Sequence, residues 1–271
     1  MLWFTAVKVR LSAEWFRIRQ DMCGRYTITS APEAIRALFG YQEQPNFPPR
    51  YNVAPTQPIP IVRLTEGQRH FALVRWGLLP SWVKDPKTFT LLINARGESV
   101  IDKPAFRAAM KRRRCLIPAD GFYEWKAMGG RKQPYFARLK AGGPMALAGL
   151  RETWTGPNGE ELETAAIVTT NANRTLGEVH GRMPVIVPPE AFDLWLDCAQ
   201  VDATTAAALI TPAPDDLLEA YEISTAVNRT ANDDPKLLEP AGAAPSELVK
   251  PAAPRPRTKR AKNDGGQGAL F

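Results

Sequence analysis

This chain of 271 residues contains only three cysteines and two histidines. Their scarcity excludes several classes of protein. Cys23, Cys115 and Cys198 are odd in number and far apart, so no disulfide framework is expected. With only His70 and His180, and no closely spaced Cys or His pair, no zinc site is expected either. A reducing, cytoplasmic compartment fits this cysteine usage best.

Long apolar runs and nucleotide-binding motifs are also missing. No apolar stretch reaches the roughly 18 residues of a membrane-spanning helix, so no membrane association is expected. Basic side chains interrupt the apolar residues of segment 1–21, and no small-residue cleavage site follows it. This is not the pattern of a signal peptide. The absence of βαβ units and of a glycine-rich phosphate loop argues against a nucleotide-binding fold.

The net charge of +7 is concentrated at the two ends of the chain. Residues 1–21 contribute +2 and residues 250–271 contribute +5, which leaves residues 22–249 neutral. Overall charge is therefore uninformative about what the body binds, and a nucleic-acid surface would have to come from local clusters. One such cluster is Arg107 with the basic run at 111–114.

A single α+β domain is predicted between residues 22 and 248. Residues 249–271 are rich in Pro, Ala, Gly and basic side chains with little to bury, so a disordered tail is expected there. Within the body, Pro and Gly separate short apolar runs, which predicts a largely antiparallel core. Strands are predicted at 59–64, 70–76, 114–117, 135–139, 146–150, 165–170 and 185–187. Helices are predicted at 31–38, 104–113, 189–198 and 203–209.

Cys23 follows Met22 at the start of the predicted body, and its chemistry depends on whether it becomes the N-terminus. Inside a chain it offers one thiol, and a lone cysteine is more often a buried apolar side chain than a nucleophile. At an N-terminus it would carry an amine and a thiol on adjacent carbons. Such a 1,2-aminothiol can condense with an aldehyde and close a ring. Cys115 and Cys198 are interpreted as structural.

Five further residues each allow two interpretations. His180, between Val and Gly-Arg, fits packing poorly, so catalysis or ligand contact is as open as a structural role. Glu124 has aromatic neighbours, which favours a raised pKa and acid–base work, but it could face water at a strand end. Asn94 follows an apolar run and could orient a reacting carbonyl or cap a helix. Trp76 and Trp82 could be core residues or a stacking platform for bases.

Six short motifs occur in an order that resembles one known family. They are Met-Cys-Gly-Arg-Tyr at 22–26, Tyr-Asn-Val-Ala-Pro at 51–55, Trp-Gly at 76–77, Ile-Asn-Ala-Arg at 93–96, Phe-Tyr-Glu-Trp at 122–125 and His-Gly-Arg-Met-Pro at 180–184. Together they resemble the SOS-response-associated peptidase (SRAP) family, whose members shield abasic sites by crosslinking to them. The resemblance extends to about residue 228 and implies a single domain with a barrel-like antiparallel core and peripheral helices.

The resemblance also implies the residues of an active site and of a groove for single-stranded DNA. Cys23 would be the covalent nucleophile once Met22 is removed, and the site would be completed by Asn94, Glu124 and His180. The groove would be lined by Arg25, Asn52, Pro55, Arg96, Thr169 and Arg182. Trp82 matches one tryptophan of a strand-separating region, but a second tryptophan of some members is Val83 here. The duplex-wedging region therefore departs from the family pattern at this position.

The implied reaction joins the chain to an abasic sugar. The Cys23 amine attacks the open-chain aldehyde, and the thiol then closes a five-membered thiazolidine. Glu124 would protonate the sugar oxygen during ring opening, His180 would shuttle protons, and Asn94 would hold the product. No cofactor is expected, and the protein is expected to act as a monomer on damaged DNA of the nucleoid.

In the family this cysteine follows the initiator methionine, whereas residues 1–21 precede the pair here. Either these residues come from a start assigned too far upstream, or they are a leader that self-cleavage at the Met22–Cys23 bond removes. The lack of a targeting pattern favours the first explanation. A retained leader would block the amine and abolish thiazolidine formation.

Two other functions and one further partner are considered. The chain could be a general cysteine peptidase acting through Cys23, His180 and Asn94, or a noncovalent single-strand binding protein. Its last residues resemble the short peptide that docks into the bacterial sliding clamp, with the basic tail as a tether. The clamp-binding side chains would be Gln267, Leu270 and Phe271.

Overall fold

The computed structural model describes residues 23–242. The chain divides into two units between Ala241 and Gly242, and the described residues fall almost wholly in the first. The predicted leader, the domain boundary at 248, the tail and the three clamp-binding side chains lie outside the described residues.

Strands dominate this part of the chain. In chain order they are β1 (Arg25–Ile28), β2 (Arg50–Val53), β3 (Pro58–Thr65), β4 (Gln68–Trp76), β5 (Asn94–Arg96), β6 (Arg114–Ala119), β7 (Gly121–Met128), β8 (Arg131–Leu139), β9 (Met145–Thr155), β10 (Glu161–Asn171), β11 (Arg182–Pro184), β12 (Ile186–Val187) and β13 (Leu218–Glu222).

The helices are short and lie between the strands. They are α1 (Pro32–Phe39), α2 (Arg107–Arg112), α3 (Arg174–Gly177), α4 (Phe192–Leu196) and α5 (Ala203–Ala207), with 3₁₀ turns at Gly97–Ser99, Pro189–Ala191, Thr225–Asn228 and Pro235–Leu238. Within residues 23–242, no helix is long and apolar enough to cross a membrane.

Five strands close into a barrel. β10 pairs with β4, β4 with β3, β3 with β6, β6 with β9, and β9 again with β10. Only the β10–β4 contact in this ring is parallel. Close packing of β6 against β9 requires a glycine, because a Cβ on Gly149 would lie 2.8 Å from the Sγ atom of Cys115. Cys115 is itself fully buried, which fits the structural role predicted for it.

A second, open sheet carries part of the functional site. Its strand order is β13-β8-β7-β1-β2, and all of its pairings are antiparallel. β1 runs beside β7, with Arg25 opposite Tyr123, which brings the residues just before β1 close to the middle of β7. β5 joins the barrel along β10, with Asn94 opposite Ile167. Residues far apart in sequence therefore converge at one end of the barrel.

The predicted fold class is confirmed: the structure is a single α+β domain with a largely antiparallel, barrel-like core. Each predicted strand is present, and most extend further than predicted. Two predicted helices need correction. The helix predicted at 104–113 begins only at Arg107, because Phe106 has φ −122°. The helix predicted at 189–198 is a 3₁₀ turn followed by α4, and it stops where the Asp197 carboxylate accepts from two following N–H groups.

The basic cluster predicted at residue 107 and at 111–114 is only partly a surface cluster. Arg114 is buried and donates to four backbone carbonyls, among them those of Met110 and Trp195. Arg113 forms an ion pair with Glu152 at 2.6 Å. Arg107 and the first two residues of the run remain exposed. The prediction of a surface cluster is therefore wrong for the last two residues of the run.

Candidate active site

A cavity of about 370 Å³ opens beside the start of β1. It is lined from β7 by Glu124, from the segment before β11 by His180, and from the segment after β2 by Pro55. The other polar side chains that line it belong to Arg25, Trp125, Lys132, Asn228 and Thr230. Three of the four predicted active-site residues thus meet at or beside one cavity, and the fourth, Asn94, contacts Cys23 directly.

Hydrogen bonds hold the backbone of Cys23 on both sides of its Cα atom. Its backbone nitrogen donates to the Glu124 carboxylate, and its carbonyl accepts from Asn94 Nδ2 at 3.2 Å. The thiol is fully buried, with Sγ 3.8 Å from the carbonyl oxygen of Arg25. Burial raises the pKa of this thiol well above its ordinary value, and the nearby Glu124 carboxylate raises it further. The resting side chain is therefore a thiol, not a thiolate.

Glu124 lies inside β7 and is 3% exposed, so the alternative of a strand-end carboxylate facing water is wrong. Burial raises the pKa of Glu124 to about 8, although the N–H groups of Cys23 and Trp125 and the charge of Lys132 act in the opposite direction. A carboxyl group with this pKa is largely protonated at neutral pH and can donate a proton.

Two buried acceptor atoms at the site have no hydrogen-bond partner among the described residues: Asn94 Oδ1 and Glu124 Oε1. Buried polar atoms of this kind are rare, because leaving one unpaired costs about 1–3 kcal/mol. Both belong to side chains that already contact the backbone of Cys23. They are positioned to receive donors from an amine or from a bound ligand.

His180 completes the cluster from the opposite wall. Its Nδ1 atom lies 3.8 Å from Glu124 Oε2 and 3.2 Å from the backbone nitrogen of Arg182. The ring is about one quarter exposed, and it lies beside Glu124 without a direct hydrogen bond to it. No group of three or more His, Cys, Asp and Glu side chains suited to a metal ion occurs within residues 23–242.

A family model described as SOS response associated peptidase (SRAP) matches residues 22–230. The chain belongs to the SRAP family. The predicted family is thereby confirmed, and the match covers both sheets of the structure together with the four residues of the site.

Relatives of known name and structure agree with this membership. The abasic site processing protein YoqW of Bacillus subtilis is 39% identical, over 80% of this chain and 99% of its own length. The abasic site processing protein HMCES of Xenopus tropicalis is 30% identical, over 80% of this chain and 78% of its own length. A Bacteroides thetaiotaomicron protein superposes with a TM-score of 0.73 at 26% identity, covering 81% of this chain and 100% of that one.

In this SRAP domain, Arg25 and Asn52 support one wall of the cavity. Arg25 Nη1 donates to Asn52 Oδ1 and to the carbonyl of Val227, both at 2.9 Å. The fully buried Asn52 donates through Nδ2 to three carbonyls between residues 227 and 232. Asn228 and Thr230, on that same segment, line the cavity. DNA contacts by Arg25 and Asn52 stay predictions, whereas their support of the wall is observed.

The other predicted groove residues differ in what they contact. Arg96 is exposed, and its guanidinium has no hydrogen bond within residues 23–242. Thr169 is buried, and both its carbonyl and its hydroxyl accept from Arg182 Nη2. Pro55 lines the cavity. Their contacts with DNA are untested and stay predictions.

The two tryptophans of the segment 76–82 have different environments. Trp76 is a core residue whose Nε1 donates to the carbonyl of Ile93. Trp82 is 58% exposed and sits edge-on to Phe89, outside the lining of the cavity. Val83 is buried against Leu79 and Trp154. Of these two tryptophans of the SRAP domain, only Trp82 presents its ring to solvent.

Sequence reasoning missed four residues of the cavity wall: Trp125, Lys132, Asn228 and Thr230. Trp125 is adjacent to the predicted Glu124, and its Nε1 donates to Asn228 Oδ1 at 2.8 Å. Lys132 lies on the neighbouring strand β8 and is exposed. Nothing in the local sequence marks Lys132 or Thr230, because their position depends on how β8 and the segment after β13 return to the site.

Proposed function

We propose that this SRAP protein processes abasic sites in single-stranded DNA by joining Cys23 covalently to the sugar aldehyde. The observation that carries the proposal is the fixed position of the Cys23 backbone beside an open cavity. Its nitrogen contacts Glu124, and its carbonyl contacts Asn94. Relatives at 30–39% identity are named abasic site processing proteins, which supports the same class of substrate here.

The first step requires a free amine on Cys23. Breaking the Met22–Cys23 bond supplies it, and we propose that the site itself does so. The thiol takes the acyl group from nitrogen, and water then hydrolyses the thioester. An α-amine has a reference pKa of about 8, so a useful fraction is neutral near pH 7. Glu124 donates a proton to the ring oxygen of the sugar, and the ring opens to the aldehyde.

Covalent capture then proceeds in two bond-forming events. The amine adds to the aldehyde carbon and water leaves, which gives an iminium ion. The thiol of Cys23 adds to that same carbon and loses its proton, which closes a five-membered thiazolidine. Amine, aldehyde and thiol thus yield the ring and one water molecule. Because burial keeps the thiol protonated in the resting state, the amine reacts first, and ring closure is favoured because it is intramolecular.

The remaining residues of the site act around these two bonds. His180 moves protons between Glu124 and solvent, and Asn94 holds the adduct through the carbonyl of Cys23. Arg96 is the exposed cation at the end of β5 that is available for phosphate, so noncovalent binding should weaken as salt concentration rises. Trp82 offers a stacking surface near the path of the strand. The clamp-binding prediction for the chain end stays a prediction.

The test compares two single-stranded oligonucleotides that differ only at the abasic carbon. One carries the aldehyde, and the other has been reduced to the alcohol with borohydride. We expect an adduct that survives a denaturing gel with the aldehyde and none with the alcohol. Equal noncovalent binding to both without an adduct would indicate a plain single-strand binding protein. Cleavage of added protein substrates without an adduct would indicate a general peptidase.

A further inference from the structure

The guanidinium of Arg182 is already occupied in the free protein. Its two terminal nitrogens both donate to the Glu98 carboxylate, Nη1 to Oε1 and Nη2 to Oε2, the latter at 2.9 Å. Nη2 also donates to the carbonyl and the hydroxyl of Thr169, at 2.8 and 3.1 Å, and Nη1 donates to Asn171 Oδ1 at 3.2 Å. Only 16% of the Arg182 side chain is exposed.

A carboxylate on both nitrogens of an arginine takes the same forked position that a phosphate takes. The two partners of this pair are not equally fixed. Arg182 is held from behind by Thr169 and Asn171, whereas Glu98 lies in the 3₁₀ turn after β5 with 48% of its side chain exposed. Glu98 can therefore rotate into solvent while Arg182 stays in place. Orientation of Arg182 does not depend on Glu98, because three other acceptors provide it.

Glu98 also affects a second cation of the predicted groove. The hydrogen bond from Arg182 is the largest cause that lowers the pKa of Glu98, and the charges of Arg182 and Arg96 lower it further. The carboxylate thus stays ionised at neutral pH. It offsets positive charge at two of the arginines that would meet the DNA backbone.

We propose that Glu98 occupies a phosphate position at Arg182 in the free protein, and that a DNA phosphate must displace it. The inference rests on the proposed function, since it assigns to Glu98 control over binding at the same groove. The consequence of this competition is selectivity for strands that carry the aldehyde over undamaged strands. Contact with undamaged strands is weakened by the competing carboxylate, while covalent capture at an aldehyde is not reversed by it.

The experiment measures binding to an undamaged single-stranded oligonucleotide, which cannot crosslink. We expect Glu98→Gln to bind about two- to fivefold more tightly than wild type at low salt, in line with the energy of an exposed ion pair. The slope of log affinity against log salt should steepen by up to about 0.7, the value for one additional phosphate contact on a single strand. Fluorescence anisotropy between 50 and 200 mM salt covers the useful range.

Two further variants separate this proposal from a general charge effect. Glu178→Gln makes the same charge change on an exposed side chain outside the Arg182–Glu98 pair, and it should shift affinity less than Glu98→Gln does. In an Arg182→Ala background, the gain from Glu98→Gln should shrink to the smaller electrostatic effect that remains through Arg96. Weaker or unchanged binding by Glu98→Gln, an equal gain in Glu178→Gln, or a gain that is undiminished without Arg182 would each overturn the proposal.

The proposed function and this inference fail in different ways. The same variants are incubated with the aldehyde-bearing oligonucleotide at saturating concentration, where the crosslinking rate of Glu98→Gln should match that of wild type within about twofold. Loss of crosslinking in wild type itself would overturn the proposed function and leave the binding comparison valid. Thermal unfolding of each variant checks that the exposed substitution leaves the fold unchanged.

Discussion

Cys23→Ala is expected to lower the denaturation-resistant adduct with abasic single-stranded DNA to below about 1% of wild type. Because self-cleavage needs the missing thiol, the variant is prepared as a chain that begins at residue 23, so it keeps the α-amine and can still form an iminium ion. It lacks the sulfur that closes the ring, and only ring closure makes the adduct lasting through its intramolecular advantage. The gel band should therefore vanish, while borohydride added during the incubation should trap the iminium and restore a band.

Cys198→Ser is the matched control for this substitution. Cys198 is a partly exposed thiol outside the cavity lining, so its replacement should leave the adduct at the wild-type level. Cys23→Ser, also prepared as a chain that begins at residue 23, keeps the amine and replaces sulfur by a weaker nucleophilic oxygen, and it should behave like Cys23→Ala. An undiminished band in Cys23→Ala, without borohydride, would mean that another residue makes the bond.

Glu124→Gln is expected to slow adduct formation by about 10²- to 10⁴-fold, the usual contribution of a general acid. Glutamine retains the shape and can accept from the Cys23 nitrogen, but it cannot donate the proton for ring opening. The wild-type rate should first rise with pH as the amine loses its proton, and then fall at higher pH as Glu124, whose pKa burial raises, loses its own. The variant should lack the fall. A variant rate equal to wild type at pH 7 would remove Glu124 from the mechanism.

The Glu124 carboxyl group should also make the free energy of unfolding depend on pH. Its pKa is about 8 when folded and about 4.5 as the ordinary value, so the folded state holds the proton more tightly. Its stabilising contribution is fully present below pH 4.5 and is lost as pH rises from there towards 8. Relative to wild type, Glu124→Gln should therefore become more stable over this range. Urea unfolding of both proteins at pH 5 and pH 8.5 measures this difference in the free energy of unfolding.

The N-terminus must be known for that comparison. A free Cys23 ammonium group beside Glu124 would lower the carboxyl pKa and reduce the stability difference. Mass analysis of each preparation shows which form is present. Identical pH dependence in wild type and variant, with residue 22 retained, would contradict the raised pKa.

The barrel was predictable because its strands are short apolar runs bounded by Pro and Gly, such as those that became β3 and β6. β1, β2 and β7 were missed because polar and aromatic residues interrupt their patterns. β7 begins at Gly121, where a Cβ would lie 2.3 Å from the Phe136 ring. That constraint comes from the neighbouring strand and leaves no local signal.

The candidate site was also predictable only in part. Individual residue types suggested Glu124 and His180, and the order of six motifs placed them in one family. Pairings across long sequence separations were not predictable. The partners Glu98 and Arg182 are 84 positions apart, and Asn52 reaches carbonyls about 175 to 180 positions away. Arg114 looked like a surface cation in a basic run, but four carbonyl acceptors in the core hold it there.

The most direct test of the central claim is the intact mass of the adduct, followed by peptide mapping. If Cys23 reacts as an aminothiol, the mass equals a chain that begins at Cys23 plus the oligonucleotide minus one water molecule. The modification then maps to the N-terminal peptide, and the Cys23 thiol resists alkylation. An adduct on a chain that still begins before Cys23, or one that maps to a lysine such as Lys132, would contradict the account.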